Sequence, residues 1–127
     1  MFIPTIEQVS SDARGEIYII HLPEHRELLL IHSKEGSLRG GHAHDVDEVV
    51  VLLSGAMRYH RKTISGPTLT DRLHPGDASF NPAQLFHMAE FLEDSWLMES
   101  KLTTPKGAWR NIDYNPWRAQ VAVNAAG

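Results

Sequence analysis

The chain has 127 residues, with 12 Lys or Arg against 16 Asp or Glu, a formal charge of −4 with histidine neutral. That balance argues against nucleic acid or a membrane surface as a partner held by bulk charge. A content of 42% hydrophobic and 22% charged residues excludes a disordered chain, and the absence of cysteine excludes disulfides, thiolate catalysis, zinc–thiolate sites and iron–sulfur clusters.

The length suits one domain over residues 1–127. The N-terminal MFIPTIEQ has no basic stretch followed by an apolar core. No apolar run reaches the roughly 20 residues of a membrane span. A cytoplasmic location is therefore the expectation. In chain order, strands are predicted at Glu16–Leu22, Glu27–His32, His42–His44, Glu48–Leu53, Ala56–Lys62, Ala78–Asn81, Phe86–Phe91 and Trp96–Leu102. Turn residues separate them at Lys34-Glu35-Gly36, Ser54-Gly55, Ser65-Gly66-Pro67, His74-Pro75-Gly76-Asp77 and Asn81-Pro82. Short strands at this spacing make an all-β sandwich or barrel. From Thr104 onward, Pro105, Gly107 and Pro116 predict a loop, no more than a turn or two of helix, and a frayed end.

Glu48–Leu53 is apolar on both parities, whereas a strand with one solvated face alternates. One face then lines the barrel and the other lies under an N-terminal strand or a second subunit, or else the strand is central in a two-sheet stack. A homodimer is the expectation, with Phe2–Ile6 pairing to a neighbour's sheet edge.

Eight histidines are many for this length. His42 and His44, two apart, project from one face of a strand. Glu48 keeps their parity, and His87 follows on a late strand able to run antiparallel to the first group. Three imidazoles and a carboxylate suit one divalent transition metal, Fe, Mn, Ni, Cu or Zn, with positions left open for water or substrate. His21, His25, His32, His60 and His74 read as surface, turn or packing residues, and Arg58–Lys62 as a solvated basic strand face.

The spacing Gly36, five residues, His42-Ala43-His44, three residues, Glu48, six residues, Gly55 resembles the first motif of the cupin superfamily. Gly76, five residues, Pro82, with His87 five further on, resembles the second, which here runs to Phe91. The resemblance implies a cupin double-stranded β-helix, that is, a jelly-roll barrel with a short C-terminal tail, and a mononuclear site of His42, His44, Glu48 and His87. Two positions depart from the family pattern. Gln84 stands where a glycine is usual, so either the turn has another shape or Gln84 points into the pocket. Phe91 stands where an asparagine is usual, which makes that end of the pocket apolar.

More loosely, Arg39-Gly40-Gly41-His42-Ala43-His44 is similar to the entrance of cupins acting on nucleotide-linked keto-sugars, the dTDP-keto-sugar 3,4-isomerases and 3,5-epimerases. That likeness implies His42 as a base and Arg39 as a substrate clamp, without a metal. Three readings follow: a metal-dependent oxygenase, isomerase or lyase acting on a small polar or aromatic substrate, a keto-sugar isomerase, or a non-catalytic binding or sensing module. The catalytic candidates are His42, Arg39 and Glu99. By parity Tyr59, Phe80, Phe91, Trp96 and Met98 also flank the barrel, mostly as core. Glu99 marks a role if it faces inward, since an unpaired interior carboxylate is costly, but the expectation is a surface position.

Overall fold

A computed structural model describes residues 2–102 and 110–126. The strands are β1 (Thr5–Asp12), β2 (Gly15–His21), β3 (Glu27–Ser33), β4 (Leu38–His44), β5 (Glu48–Ser54), β6 (Met57–Lys62), β7 (Leu69–Leu73), β8 (Ala78–Asn81), β9 (Phe86–Phe91), β10 (Ser95–Lys101) and β11 (Asn111–Asp113), followed by helix α1 (Asn115–Ala126). They form two antiparallel sheets, one ordered β1-β2-β3-β10-β5-β8 and the other β11-β4-β9-β6-β7. This is the expected jelly-roll barrel.

All eight predicted strands are present, and three were not predicted. β1 (TIEQVSSD) and β7 (LTDRL) are mainly polar and almost wholly exposed at sheet edges, so neither carries an apolar face to betray it. β11 is a three-residue pairing with β4. Helix α1 is longer than the expected turn or two: it runs 12 residues, with Pro116 in its first turn, where no backbone N–H is required. The start of the predicted tail loop lies outside the described residues. Thr5 and Ile6 pair with His21 and Ile20 of the same chain, so this part of the N-terminal segment extends its own sheet. Among the described residues no helix is long and apolar enough to cross a membrane.

The core occupies one end of the barrel. Ile31, Val50, Leu52 and Leu97 from the six-stranded sheet meet Met57, Tyr59, Ala89 and Phe91 from the other. A second cluster lies outside the barrel, where Trp117 and Val121 of α1 cover Ala43, Phe86 and Met88. The centre of the five-stranded sheet, at β9 and the adjoining part of β4, is therefore covered on both faces within the chain.

Two backbone features set the functional end. Gly40 and Gly41 have φ of +97° and +90°, and between Gly40 and His42 the β4–β9 register slips. This is a bulge: Gly41 has no opposite number, and the strand changes parity. Gln84 keeps the turn that a glycine would serve, at φ +70°, and its N–H donates to the His44 carbonyl at 2.7 Å. The turn shape is thus conserved against the local preference, and the side chain is exposed.

A left-handed non-glycine residue costs about 1 kcal/mol, so Gln84→Gly should raise the melting temperature by about 3–5 °C. Gly40→Ala should do the opposite, because its Cβ would lie 2.8 Å from the His87 carbonyl oxygen at a positive φ. Thermal melts of the two variants beside the parent check both signs.

Candidate metal centre

β4 and β9 are neighbours, and His42 stands opposite His87 in their register. His44, two residues on from His42, shares its face. The three rings converge, with centroids 4.9 Å (His42–His44), 5.2 Å (His42–His87) and 5.0 Å (His44–His87) apart. One ligating atom from each lies within 4.8 Å of the others. The remaining described histidines have other partners or lie elsewhere: His21 on Glu7, His32 on Glu16, His60 on Thr70 and His74 beside Asp77.

Glu48 approaches from the opposite sheet and is fully buried. Its Oε2 lies 3.1 Å from His44 Nε2 and its Oε1 3.3 Å from His87 Nε2. Lys101 Nζ, directly across the β5–β10 register, donates to Oε2 at 3.1 Å. Asn81 Nδ2, across the β5–β8 register, donates to Oε1 at 3.2 Å. Asn81 also donates to Tyr59 Oη at 2.7 Å and accepts from Ser79 Oγ at 2.9 Å. The carboxylate is therefore held from several directions before any ligand arrives.

Electrostatics prepare the imidazoles as ligands. Burial, reinforced by His87 and His44, pushes His42 from 6.5 down to about 4. Burial also lowers His87. The Nδ1 of His87 lies 3.1 Å from the Leu85 carbonyl oxygen. A carbonyl only accepts, so Nδ1 carries the proton and Nε2 keeps its lone pair. That lone pair faces a Glu48 oxygen, acceptor against acceptor, an arrangement suited to a cation. Burial alone would raise Glu48, but the hydrogen bond from His44, the nearby His87 ring and the Lys101 charge hold it at about 2. The donor set of three imidazoles beside an ionised carboxylate fits a divalent transition metal.

The cluster forms the floor of a cavity of about 260 Å³. Ile17, Leu29, Ile31 and Leu97 make an apolar wall, while Arg39, Tyr59, Glu99 and Lys101 supply polar groups. The bulge explains Arg39. Three residues before His42, it would point away from His42 on a regular strand, and the extra residue turns it inward. Its Nε donates to Ser33 Oγ at 2.7 Å and its Nη2 to the His32 carbonyl at 3.2 Å. Among the described residues, no carboxylate forms an ion pair with this buried guanidinium.

Glu99 corrects the expectation of a surface position. It lines the cavity, its side chain only 18% exposed, with Oε2 3.9 Å from Lys101 Nζ. Burial, then the Glu48 charge, pushes it up to about 7. Of the other flanking candidates, Tyr59 and Phe91 face inward, whereas Phe80 is 54% exposed and Trp96 and Met98 are half-buried on the outside. Sequence reasoning missed Lys101 and Asn81. Their signals were an opposite charge two residues after Glu99 and a buried amide beside the motif-2 proline.

No family model and no curated protein matches the sequence. Solved structures do match. Capsular polysaccharide assembling protein CapF from Staphylococcus aureus superposes with a TM-score of 0.70 at 16% identity, over 87% of this chain and 35% of that one. Oxalate decarboxylase from Bacillus subtilis gives 0.64 at 19% identity, over 85% and 32%. The cupin domain of Drosophila melanogaster CENP-C gives 0.64 at 14% identity, over 75% of both chains. The chain has the cupin fold. It spans about a third of the length of CapF and of oxalate decarboxylase.

Because folding raises the Glu99 pKa from 4.5 to about 7, the folded chain binds that proton more tightly than the unfolded one. Stability is therefore lost as pH rises through this window and levels off above it. Glu99→Gln removes the effect. In metal-free protein, the variant's stability relative to the parent should increase with pH across the window, read by urea denaturation at its two ends.

Proposed function

We propose that this cupin is a metal-dependent enzyme acting on a small molecule that carries a carboxylate or similar anionic oxygen group. His42, His44 and His87, with Glu48, would hold one divalent transition metal. The observation that carries the reading is the convergence of three imidazoles at the floor of an accessible cavity. A metal held there supplies a Lewis acid able to bind and polarise a substrate oxygen or to activate water.

The protein's own groups divide the remaining work. Leu85 fixes the His87 tautomer, and Asn81 and Lys101 fix the Glu48 carboxylate, so the ligands are oriented in advance. Arg39, anchored by Ser33 and the His32 carbonyl, presents a guanidinium suited to an anionic oxygen group. The apolar wall takes the rest of the substrate and excludes water, which strengthens each charged contact. Glu99, with its pKa near 7, can hold or release a proton at the cavity wall. The name of one structural neighbour, oxalate decarboxylase, points to a small acid of the kind that Arg39 fits.

The keto-sugar isomerase reading draws less support. With its pKa near 4, His42 is a weak base, and about 260 Å³ suits a small acid better than a nucleotide-linked sugar. A non-catalytic binder leaves the proton-holding group at Glu99 without a use.

The test is elemental analysis of protein purified without chelator, then titration of metal-free protein with Fe, Mn, Ni, Cu and Zn. Parent protein should bind one equivalent. His44→Ala and His87→Ala should lose stoichiometric metal while retaining their β-rich circular dichroism, because the apolar core lies at the other end of the barrel. Glu48→Gln should weaken binding less than loss of a histidine, because its amide oxygen can still coordinate. Equal binding by the parent and His87→Ala would overturn the reading.

A further inference from the structure

Helix α1 does not cover the outer face of the five-stranded sheet evenly. Over β4 and β9 its Trp117 and Val121 rest on Ala43, Phe86 and Met88. Toward β6 and β7 it leaves a cavity of about 280 Å³, lined by His60, Thr68, Thr70, Gln120, Val121 and Asn124. This cavity and the one above the histidine cluster share no lining residue. Along β6 they lie on opposite faces, since Tyr59 points into the barrel and His60, the next residue, points out of it.

Several polar groups around the outer cavity have hydrogen-bonding capacity left. His60 stands opposite Thr70 in the β6–β7 register, with its Nδ1 2.8 Å from Thr70 Oγ1. Its Nε2 is buried and has no hydrogen-bond partner among the described residues, a state that costs free energy. Whichever ring nitrogen carries the proton, this pair offers one donor and one acceptor. If Thr70 donates to Nδ1, then Nε2–H donates and Thr70 Oγ1 accepts. If Nδ1–H donates to Thr70, then Nε2 accepts and the Thr70 hydroxyl donates. Thr68 Oγ1 accepts from Trp117 Nε1 at 2.9 Å, so its own proton is left to donate. Gln120 and Asn124, four apart on α1, add two side-chain amides from one side of the helix. Among the described residues, no carboxylate, lysine or arginine lines this cavity. Burial lowers the pKa of His60, which favours its neutral form.

We propose that this cavity is a second ligand site, taking a small uncharged molecule that carries several hydroxyl groups. A hydroxyl both donates and accepts, so it matches the His60–Thr70 pair in either tautomer and the two amides in either orientation. An anion would give up its hydration with no cation to receive it, and a cation would find no carboxylate. A wholly apolar ligand would leave the polar groups unpaired. The volume lies just under that of pockets for drug-sized ligands, which sets the size at a short polyol or a single sugar ring. Val121 supplies an apolar surface for its C–H groups. The site is independent of the metal-enzyme reading.

The test is a titration of the isotope-labelled full chain with glycerol, myo-inositol and glucose, followed by heteronuclear NMR on the indole N–H of Trp117. Thr68→Val removes the acceptor of that N–H and so identifies its resonance by displacing it. At least one of these probes should shift the resonance saturably, while acetate and inorganic phosphate leave it in place. His60→Leu and Asn124→Ala should each weaken binding about 5–10-fold, the loss of one hydrogen bond. Asn124 is exposed on α1, so its truncation leaves the fold intact. His44→Ala, which removes one imidazole of the metal cluster, should bind the probe as the parent does. No saturable shift with any of the hydroxylated probes would overturn the proposal. So would equal binding by the parent and both cavity variants, a shift produced by the anions, or loss of binding in His44→Ala.

Discussion

A carboxylate with no exposed surface costs several kcal/mol unless its surroundings replace the lost water, and Glu48 has none exposed. The groups that replace that water come from both sheets. Lys101 and Asn81 stand beside it in the β5–β10 and β5–β8 registers. His44 and His87 reach it from β4 and β9. A slip in any of these registers would strand an ionised group in the interior, so the carboxylate ties strand pairing to ligand placement. It also marks one end of the barrel: apolar side chains fill the other, while here the compensated polar groups meet the apolar wall of Ile17, Leu29, Ile31 and Leu97 around a cavity.

The histidine cluster was legible because its geometry is local. His42 and His44 share a face by alternation alone, and the spacing to Glu48 and His87 matches two known motifs. Arg39 was harder to place, since its distance of three residues from His42 implies opposite faces. The bulge at Gly41 reverses that. Adjacent glycines hint at such a bulge, but they fix neither its position nor its direction.

Glu99 and Lys101 were misjudged or missed for a different reason. Inward and outward parity is read from the contrast between an apolar and a polar face, and β10 offers little contrast. Leu97 faces the core while Trp96 and Met98 face outward. With apolar residues on both sides, nothing local says which side Glu99 shares. The edge strands β1 and β7 escaped notice for the converse reason, being polar almost throughout.

The pattern that blurred parity carries information of its own. β9 is buried at all six positions: its inward His87, Ala89 and Phe91 face the barrel, and its outward Phe86 and Met88 lie under α1. Both of its covers belong to the chain. β5 has the same two-sided apolar sequence, and its inward Val50 and Leu52 are fully buried, but its outward Val49 and Val51 remain only half-buried. Side chains of equal hydrophobicity gain equally from leaving water. α1 supplies that gain for β9, whereas among the described residues no element supplies it in full for Val49 and Val51 of β5.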